Sequence, residues 1–221
     1  MQDWLAYLLY EATYWVSTAL MTLGFSLRTE GRQRVPRTGP ALLIANHQSF
    51  LDPTLVGLCS RRHLCYLARK TLFRYPAFAW FIRHLGAVPI DQEGVGKEGI
   101  RIILEQLRAG RAVVVFPEGT RTPDGAMHPL RPGIHLLIKR TQAPIVPVGI
   151  AGAFDALPYG KGIPNLAPLF LPAGEAALAV SVGRPLDARR LAQMPREAAL
   201  ALLFAELQKV AQRAERLRRK T

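Results

Sequence analysis

Ala41-Leu42-Leu43-Ile44-Ala45-Asn46-His47-Gln48-Ser49-Phe50-Leu51-Asp52-Pro53 is the stretch on which the reading of the fold turns. Its first five residues form an unbroken apolar run, too short for a helix, and predict a buried strand. From Pro53 to Cys59 the pattern becomes helical, with Asp52 at the N-cap and Pro53 at the first helical position. The turn between them therefore carries a histidine and a carboxylate five residues apart at the strand edge where α/β proteins keep their chemistry.

Further apolar runs recur at Leu64–Ala68, Ala87–Ile90, Ala112–Phe116, Ile145–Ile150 and Ala176–Val182. Helical patterns separate them at Pro76–His84, Lys97–Arg108 and Gly133–Thr141. This alternation predicts an α/β fold with a mostly parallel or mixed sheet covered by helices on both faces. Residues 153–174 interrupt it with four prolines, Pro158, Pro164, Pro168 and Pro172, and predict a long surface excursion with the dimensions of a lid.

The two ends differ from this body. Residues 4–27 carry a single charge, Glu11, and the charge-free part, Ala12–Leu27, falls short of the roughly 20 residues that a spanning helix needs. On a helix, Asp3, Tyr7, Glu11, Thr18, Thr22 and Ser26 share one narrow stripe and aliphatic residues fill most of the rest, with Thr13 and Ser17 blurring the pattern. Such a helix, with Trp4, Tyr7, Tyr10, Tyr14 and Trp15 as amphipathic anchors, suits a membrane interface, in the plane or dipping into one leaflet; the competing reading is a core helix. A signal peptide is not indicated, since no basic region precedes the apolar stretch and no small-residue cleavage site follows it. At the other end, Arg196–Lys220 is a basic amphipathic helix expected to pack on the domain, with Arg213, Arg216, Arg218, Arg219 and Lys220 as a less favoured membrane contact. Three regions result: an anchoring segment at 1–27, an α/β domain at 28–195 and a C-terminal helix at 196–221.

Charge narrows the function. Against 16 acidic residues stand 29 Lys and Arg, a formal net charge of +13, so an anionic partner is expected. Nine basic residues and two acidic ones lie between Arg28 and Arg74, around the His47 turn. No nucleic-acid-binding motif accompanies this charge. Cys59 and Cys65 form neither a CxxC pair nor a disulfide framework, and the five histidines have no ligand spacing, so no metal is implied.

A second turn reinforces the first. Phe116-Pro117-Glu118-Gly119-Thr120-Arg121 follows the apolar run from Ala112 and occupies another strand edge. Glycine lets backbone approach a ligand, Thr120 offers a hydroxyl, and Arg121 presents a planar fork matched to phosphate oxygens.

Taken with Asn46–Asp52, this segment resembles the glycerophospholipid acyltransferase family, and the 1-acylglycerol-3-phosphate acyltransferases in particular. Gly86–Gln92 and Ile145–Val148 stand where that family has its second and fourth motifs, so the resemblance covers about residues 30–185. It implies transfer of a fatty acyl group from acyl-CoA or acyl carrier protein to the free hydroxyl of a lysophosphatidic acid, without a cofactor; the basic residues from Arg28 to Arg37, if the N-terminal segment spans, put the catalytic part at the cytoplasmic face of a membrane. In that family the histidine is the base and the aspartate orients it, roles that fall here on His47 and Asp52. Asn46, Ser49, Glu118, Gly119, Thr120 and Arg121 are then expected around the acceptor. The second motif of the family ends in an arginine that meets the acceptor phosphate, where this chain has Asp91-Gln92; Arg69 and Lys70 are the cations expected to replace it. Other lysolipids or glycerol 3-phosphate remain alternative acceptors. A basic nucleic-acid-binding domain, or a membrane-binding module without catalysis, is the alternative from a different class.

Overall fold

The computed structural model describes residues 2–91, 96–160, 162–172 and 174–219. Its centre is a seven-stranded sheet of β1 (Arg28–Glu30), β2 (Ala41–Ala45), β3 (Leu64–Arg69), β4 (Ala87–Ile90), β5 (Ala112–Val115), β6 (Ile145–Ala151) and β7 (Ala179–Val182), in the spatial order β1-β7-β6-β2-β5-β3-β4. Five neighbouring strands from β6 to β4 are parallel, while β7 runs antiparallel to β6 and takes β1 with it. The sheet is thus mixed, and β2, buried at all five positions, lies in its middle with β5 and β6 on either side. A strand covered on both faces has no use for alternation, which is why Ala41–Ala45 reads as a continuous apolar run.

Helices cover both faces. On one, α1 (Gln2–Phe25) and α2 (Asp52–Leu58) join a core with Leu43, Ala45, Val114 and Val148. On the other, α4 (Lys97–Arg108), α5 (Gly133–Arg140), α7 (Ala188–Gln193) and α8 (Arg196–Arg218) close over Leu42, Ile44, Val113 and Val115. The helix α3 (Pro76–His84) stands beside β3 and β4, and the single turn α6 (Ala153–Ala156) follows β6.

Contact between α8 and β6 is backbone to backbone. A Cβ built on Gly149 would lie 2.2 Å from the carbonyl carbon of Val210 and 2.3 Å from the nitrogen of Ala211. Gly149→Ala is therefore expected to push α8 away from the sheet and to cost about 1–3 kcal/mol, the usual penalty of overpacking. Urea unfolding should show this as a lower midpoint at unchanged slope.

Three features go beyond what the pattern predicts. Arg28-Thr29-Glu30 has no apolar run, yet it forms β1, because its backbone completes the edge beside β7 and Glu30 Oε1 accepts a 2.6 Å hydrogen bond from Ser181 Oγ. The C-terminal helix packs on the sheet as expected, and Arg218, a membrane-facing cation only in the less favoured reading, is 9% exposed and binds Glu215, Asp155 and the Glu175 carbonyl; Lys220 lies outside the described residues. The excursion after β6 is also fastened, not loose. Ala167 and Leu169 donate their N–H groups to the carbonyls of Gly24 and Leu23 at the end of α1, and Ser26 Oγ donates to the Ala167 carbonyl.

Helix α1 is the inverse of an ordinary surface helix. Tyr10, Thr13, Tyr14, Ser17, Met21 and Phe25 face the body, whereas Leu8, Trp15, Val16, Leu20 and Leu23 are 48–62% exposed. Tyr10 donates to the Arg62 carbonyl and stacks on His63, Tyr14 donates to the Leu58 carbonyl, and Arg32 holds both Tyr14 and that carbonyl. Its inward face is therefore fixed by polar tips. Among the described residues no helix is long and apolar enough to cross a membrane.

Candidate active site

The carboxyl ends of β2, β5, β3 and β4 share one edge of the sheet. Two turns meet there. Leaving β2, the chain places His47 with its Nδ1 2.8 Å from Asp52 Oδ2. The same carboxylate oxygen accepts from the backbone N–H groups of Gln48, at 2.5 Å, and Ser49, at 2.8 Å. Three donors on one oxygen fix the carboxylate, and a carboxylate at Nδ1 sets the tautomer with Nε2 unprotonated. Asp52 is fully buried, and burial raises its carboxyl above the ordinary 3.8, against the lowering pull of His47 and the two N–H groups.

Asp52 was expected to cap α2 as well, and it does not. Leu51 holds the N-cap position, Asp52 is the first helical residue, and its side chain turns back toward Gln48 and Ser49. The carboxylate serves the histidine turn alone, at the helix end where negative charge is favoured.

The second turn supports the first from beneath. Glu118 Oε1 accepts from the N–H of His47 and Oε2 from the N–H of His128, both at 2.8 Å. Thr122 N–H donates to the His47 carbonyl, so the backbone of His47 is held on both sides. The Phe116 ring stacks on the imidazole at 4.1 Å between centroids. Gly119 has φ of 79°, and a Cβ there would press on the Arg131 side chain at 3.2 Å; Arg131 Nε in turn donates to the Glu118 carbonyl.

Several residues expected around a substrate are part of this framework instead. Asn46 pairs through both amide atoms with the backbone of Ile150, adding a rung between β2 and β6. Ser49 Oγ donates to the Leu157 carbonyl and is 1% exposed. Glu118 is 4% exposed, and both its oxygens are occupied by backbone. Thr120 is exposed outside the cavity wall. Lys70, also exposed, pairs with Asp91 at 2.7 Å, while Gln92 lies outside the described residues.

His47, Gly119, Arg121 and Arg69 do converge, on a cavity of about 620 Å³. Most of its wall is apolar or aromatic, with Phe50, Pro53 and Leu58 near α2 and Phe78, Phe81 and Ile82 from α3. Thr13 and Ser17, the residues that blurred the α1 pattern, close another side. Part of the space comes from a fork in the sheet. Strand β3 pairs with β5 only from Leu64 to Tyr66 but follows β4 as far as Arg69, and Leu67 and Val115 line the gap.

Arg121 sits at this cavity with its guanidinium 3.4 Å from the Phe50 ring centroid and 4.5 Å from that of Tyr159. Two aromatic faces hold the fork in place. Nothing in the sequence around Phe50 and Tyr159 beyond their aromatic rings marks them for this role. Cys59 and Cys65 are buried and free, with burial raising their thiols to about 12 and about 11, and neither is a nucleophile. Among the described residues no group of three or more His, Cys, Asp or Glu is placed to hold a metal ion.

A mixed α/β sheet with a His–Asp pair at its parallel edge and an apolar cavity before it defines the class of protein. The family model described as Acyltransferase matches residues 26–151, and the chain belongs to that family. A chloroplastic 1-acyl-sn-glycerol-3-phosphate acyltransferase of Brassica napus is 28% identical over 159 residues; the match takes in 70% of this chain but the chain spans only 45% of that relative's length. A lyso-ornithine lipid O-acyltransferase of Pseudomonas aeruginosa is 28% identical over 214 residues, 92% of this chain and 76% of the relative. The crystal structure of the 1-acyl-sn-glycerophosphate acyltransferase PlsC from Thermotoga maritima covers 98% of this chain, and 80% of its own, with a TM-score of 0.72. At 22% identity this last likeness speaks for the fold.

Proposed function

We propose that the protein is a membrane-associated O-acyltransferase that moves a fatty acyl group from acyl-CoA or acyl carrier protein to the free hydroxyl of 1-acylglycerol-3-phosphate, giving phosphatidic acid. The observation that carries this reading is the His47–Asp52 pair, 2.8 Å apart, at the wall of a largely apolar cavity. A thioester is already activated, so a single positioned base suffices. As the acceptor oxygen forms its bond to the thioester carbonyl carbon, its proton passes to His47 Nε2. The carbon–sulfur bond then breaks, and the departing thiolate takes up that proton. Asp52 keeps the ring in the receiving tautomer and stabilises the imidazolium that forms. The cavity accommodates acyl carbon, and Arg121 and Arg69 supply positive charge for the phosphate end.

Helix α1 fits the role of an in-plane anchor, its exposed apolar face toward lipid and its polar-tipped face toward the domain. The cluster Arg28, Arg32, Arg34 and Arg37 that follows suits the anionic surface of a cytoplasmic leaflet.

A second reading concerns the acceptor. Asp91 stands at the edge beyond β4, paired with Lys70, where the family motif has basic character, and the Pseudomonas aeruginosa relative aligns along 92% of the chain. With Lys70 neutralised by Asp91, this edge offers a phosphate less positive charge than the family's arginine would, which leaves room for a headgroup carrying its own ammonium. Incubation of the protein with acyl-CoA or acylated carrier protein and, in parallel, 1-acylglycerol-3-phosphate, glycerol 3-phosphate or lyso-ornithine lipid decides between them by mass spectrometry of the products. Phosphatidic acid is the expected major product. Preference for lyso-ornithine lipid would establish the second reading, and acylation of no acceptor would refute both.

A further inference from the structure

The segment from Lys70 to Arg83 has almost no interior. Of the nine residues of α3 only Ala79 is buried, although the helix reads Pro-Ala-Phe-Ala-Trp-Phe-Ile-Arg-His. Tyr75 is 72% exposed and Trp80 50%, and Leu72, Phe78 and Phe81 are 39–45% exposed. A folded chain does not leave so many large apolar side chains together in water without a partner for them. Between Arg69 and Leu85 the chain carries Arg69, Lys70, Arg74 and Arg83 and not one carboxylate, so the partner is anionic.

Leu72, Phe78 and Phe81 are exposed and also line the cavity, which therefore opens on this surface. Helix α1, with its own exposed apolar face, packs beside α3. Apolar area that is rimmed by cations, continuous with an outward-facing apolar helix, and placed at the mouth of an apolar cavity matches the interface of an anionic bilayer.

We infer that Leu72–Phe81 is a second membrane-inserting surface, separate in sequence from α1, which seats the cavity mouth in the lipid so that substrates pass in without crossing water. This extends the membrane association proposed above and does not depend on which acceptor is acylated.

The chain has three tryptophans, Trp4 and Trp15 in α1 and Trp80 in α3, which makes the test direct. In the double variant Trp4→Phe, Trp15→Phe, fluorescence comes from Trp80 alone. On phosphatidylglycerol vesicles with bromines about 5–10 Å below the headgroups, the depth an interfacial apolar face reaches, Trp80 emission is expected to fall roughly twofold relative to unbrominated vesicles. In the full-length protein, Trp80→Ser is expected to weaken vesicle partition about tenfold, since one aromatic side chain no longer leaves water. Its acyl transfer to detergent-dispersed acceptor should stay at the wild-type rate, so a failure of the catalytic reading would appear in the detergent assay and not in the quenching. If Trp80 emission is unchanged while a variant retaining Trp15 alone is quenched, α1 alone meets the lipid and the inference is overturned. Unchanged emission together with concentration-dependent dimerisation would assign the surface to a second copy of the chain and overturn it equally.

Discussion

His47→Ala is expected to lower the rate of acyl transfer by roughly 10²–10⁴-fold, the span associated with losing a positioned general base. The loss should fall on kcat, because the cavity proposed to take the acyl chain is walled mainly by side chains the substitution does not touch. Stability should change little. Asp52 Oδ2 still accepts from the N–H groups of Gln48 and Ser49, and the backbone of residue 47 still meets Glu118 Oε1 and the Thr122 N–H. Asp52→Asn separates base from orienter. Its amide oxygen can still take the two backbone donors, but the carboxylate that selects the imidazole tautomer is gone, so a loss smaller than that of His47→Ala is expected. Single-turnover measurements of thioester consumption check both, and a His47→Ala variant that transfers at the wild-type rate would remove His47 from the chemistry.

The strands that sequence located best are those whose surroundings ask least of pattern. Strands β2 and β4 fall at the bounds that apolar runs mark, and β3, β5 and β6 within a residue of them. Arg28–Glu30 was invisible because an edge strand three residues long is defined by the partner backbone of β7, not by its own side chains. Local spacing also sufficed to bring His47 to Asp52, five residues away, and to set Gly119 and Arg121 at the same edge. It could not say where Asn46, Ser49 and Glu118 point. Their partners are the backbones of Ile150, Leu157 and His128, set by the return of distant segments. The fork between β3 and β5 is likewise a matter of register, which no single strand encodes. The pattern of α1 was legible as two faces, but its burial was not, since polar-tipped residues pack inward only because carbonyls of Leu58 and Arg62 wait for them.

Replacement of Glu118 is expected to do the largest damage to the fold of the site, although the residue does not reach the cavity. In Glu118→Leu the N–H groups of His47 and His128 lose their acceptors, and each part-buried donor left unpaired costs about 1 kcal/mol, the low end of the range for a buried one. A loss of about 2 kcal/mol follows, with activity falling as the His47 turn slackens. Glu118→Gln keeps the shape and one acceptor but sets an NH₂ against the other N–H, so about half that cost is expected. The two variants also bear on pH. Burial raises the Glu118 carboxyl above its ordinary 4.5, opposed by the two backbone donors. The folded protein therefore binds that proton more tightly than the unfolded chain does. The stability this confers is complete below about pH 4.5 and is lost as the pH rises through the raised folded value. Wild type should accordingly gain on Glu118→Gln in urea midpoint as the pH is lowered from 7 toward 4.5, and a constant gap would show that the carboxyl is not raised. At neutral pH the ionised carboxylate carries a desolvation cost that its two N–H donors, and to a lesser degree the nearby His47 and His128 side chains, partly offset. Those donors belong to the histidine turn and to the loop that follows Arg121. The cost is sustained because it joins the two halves of the site: one buried carboxylate fixes the backbone of His47 against the segment that presents Gly119 and Arg121.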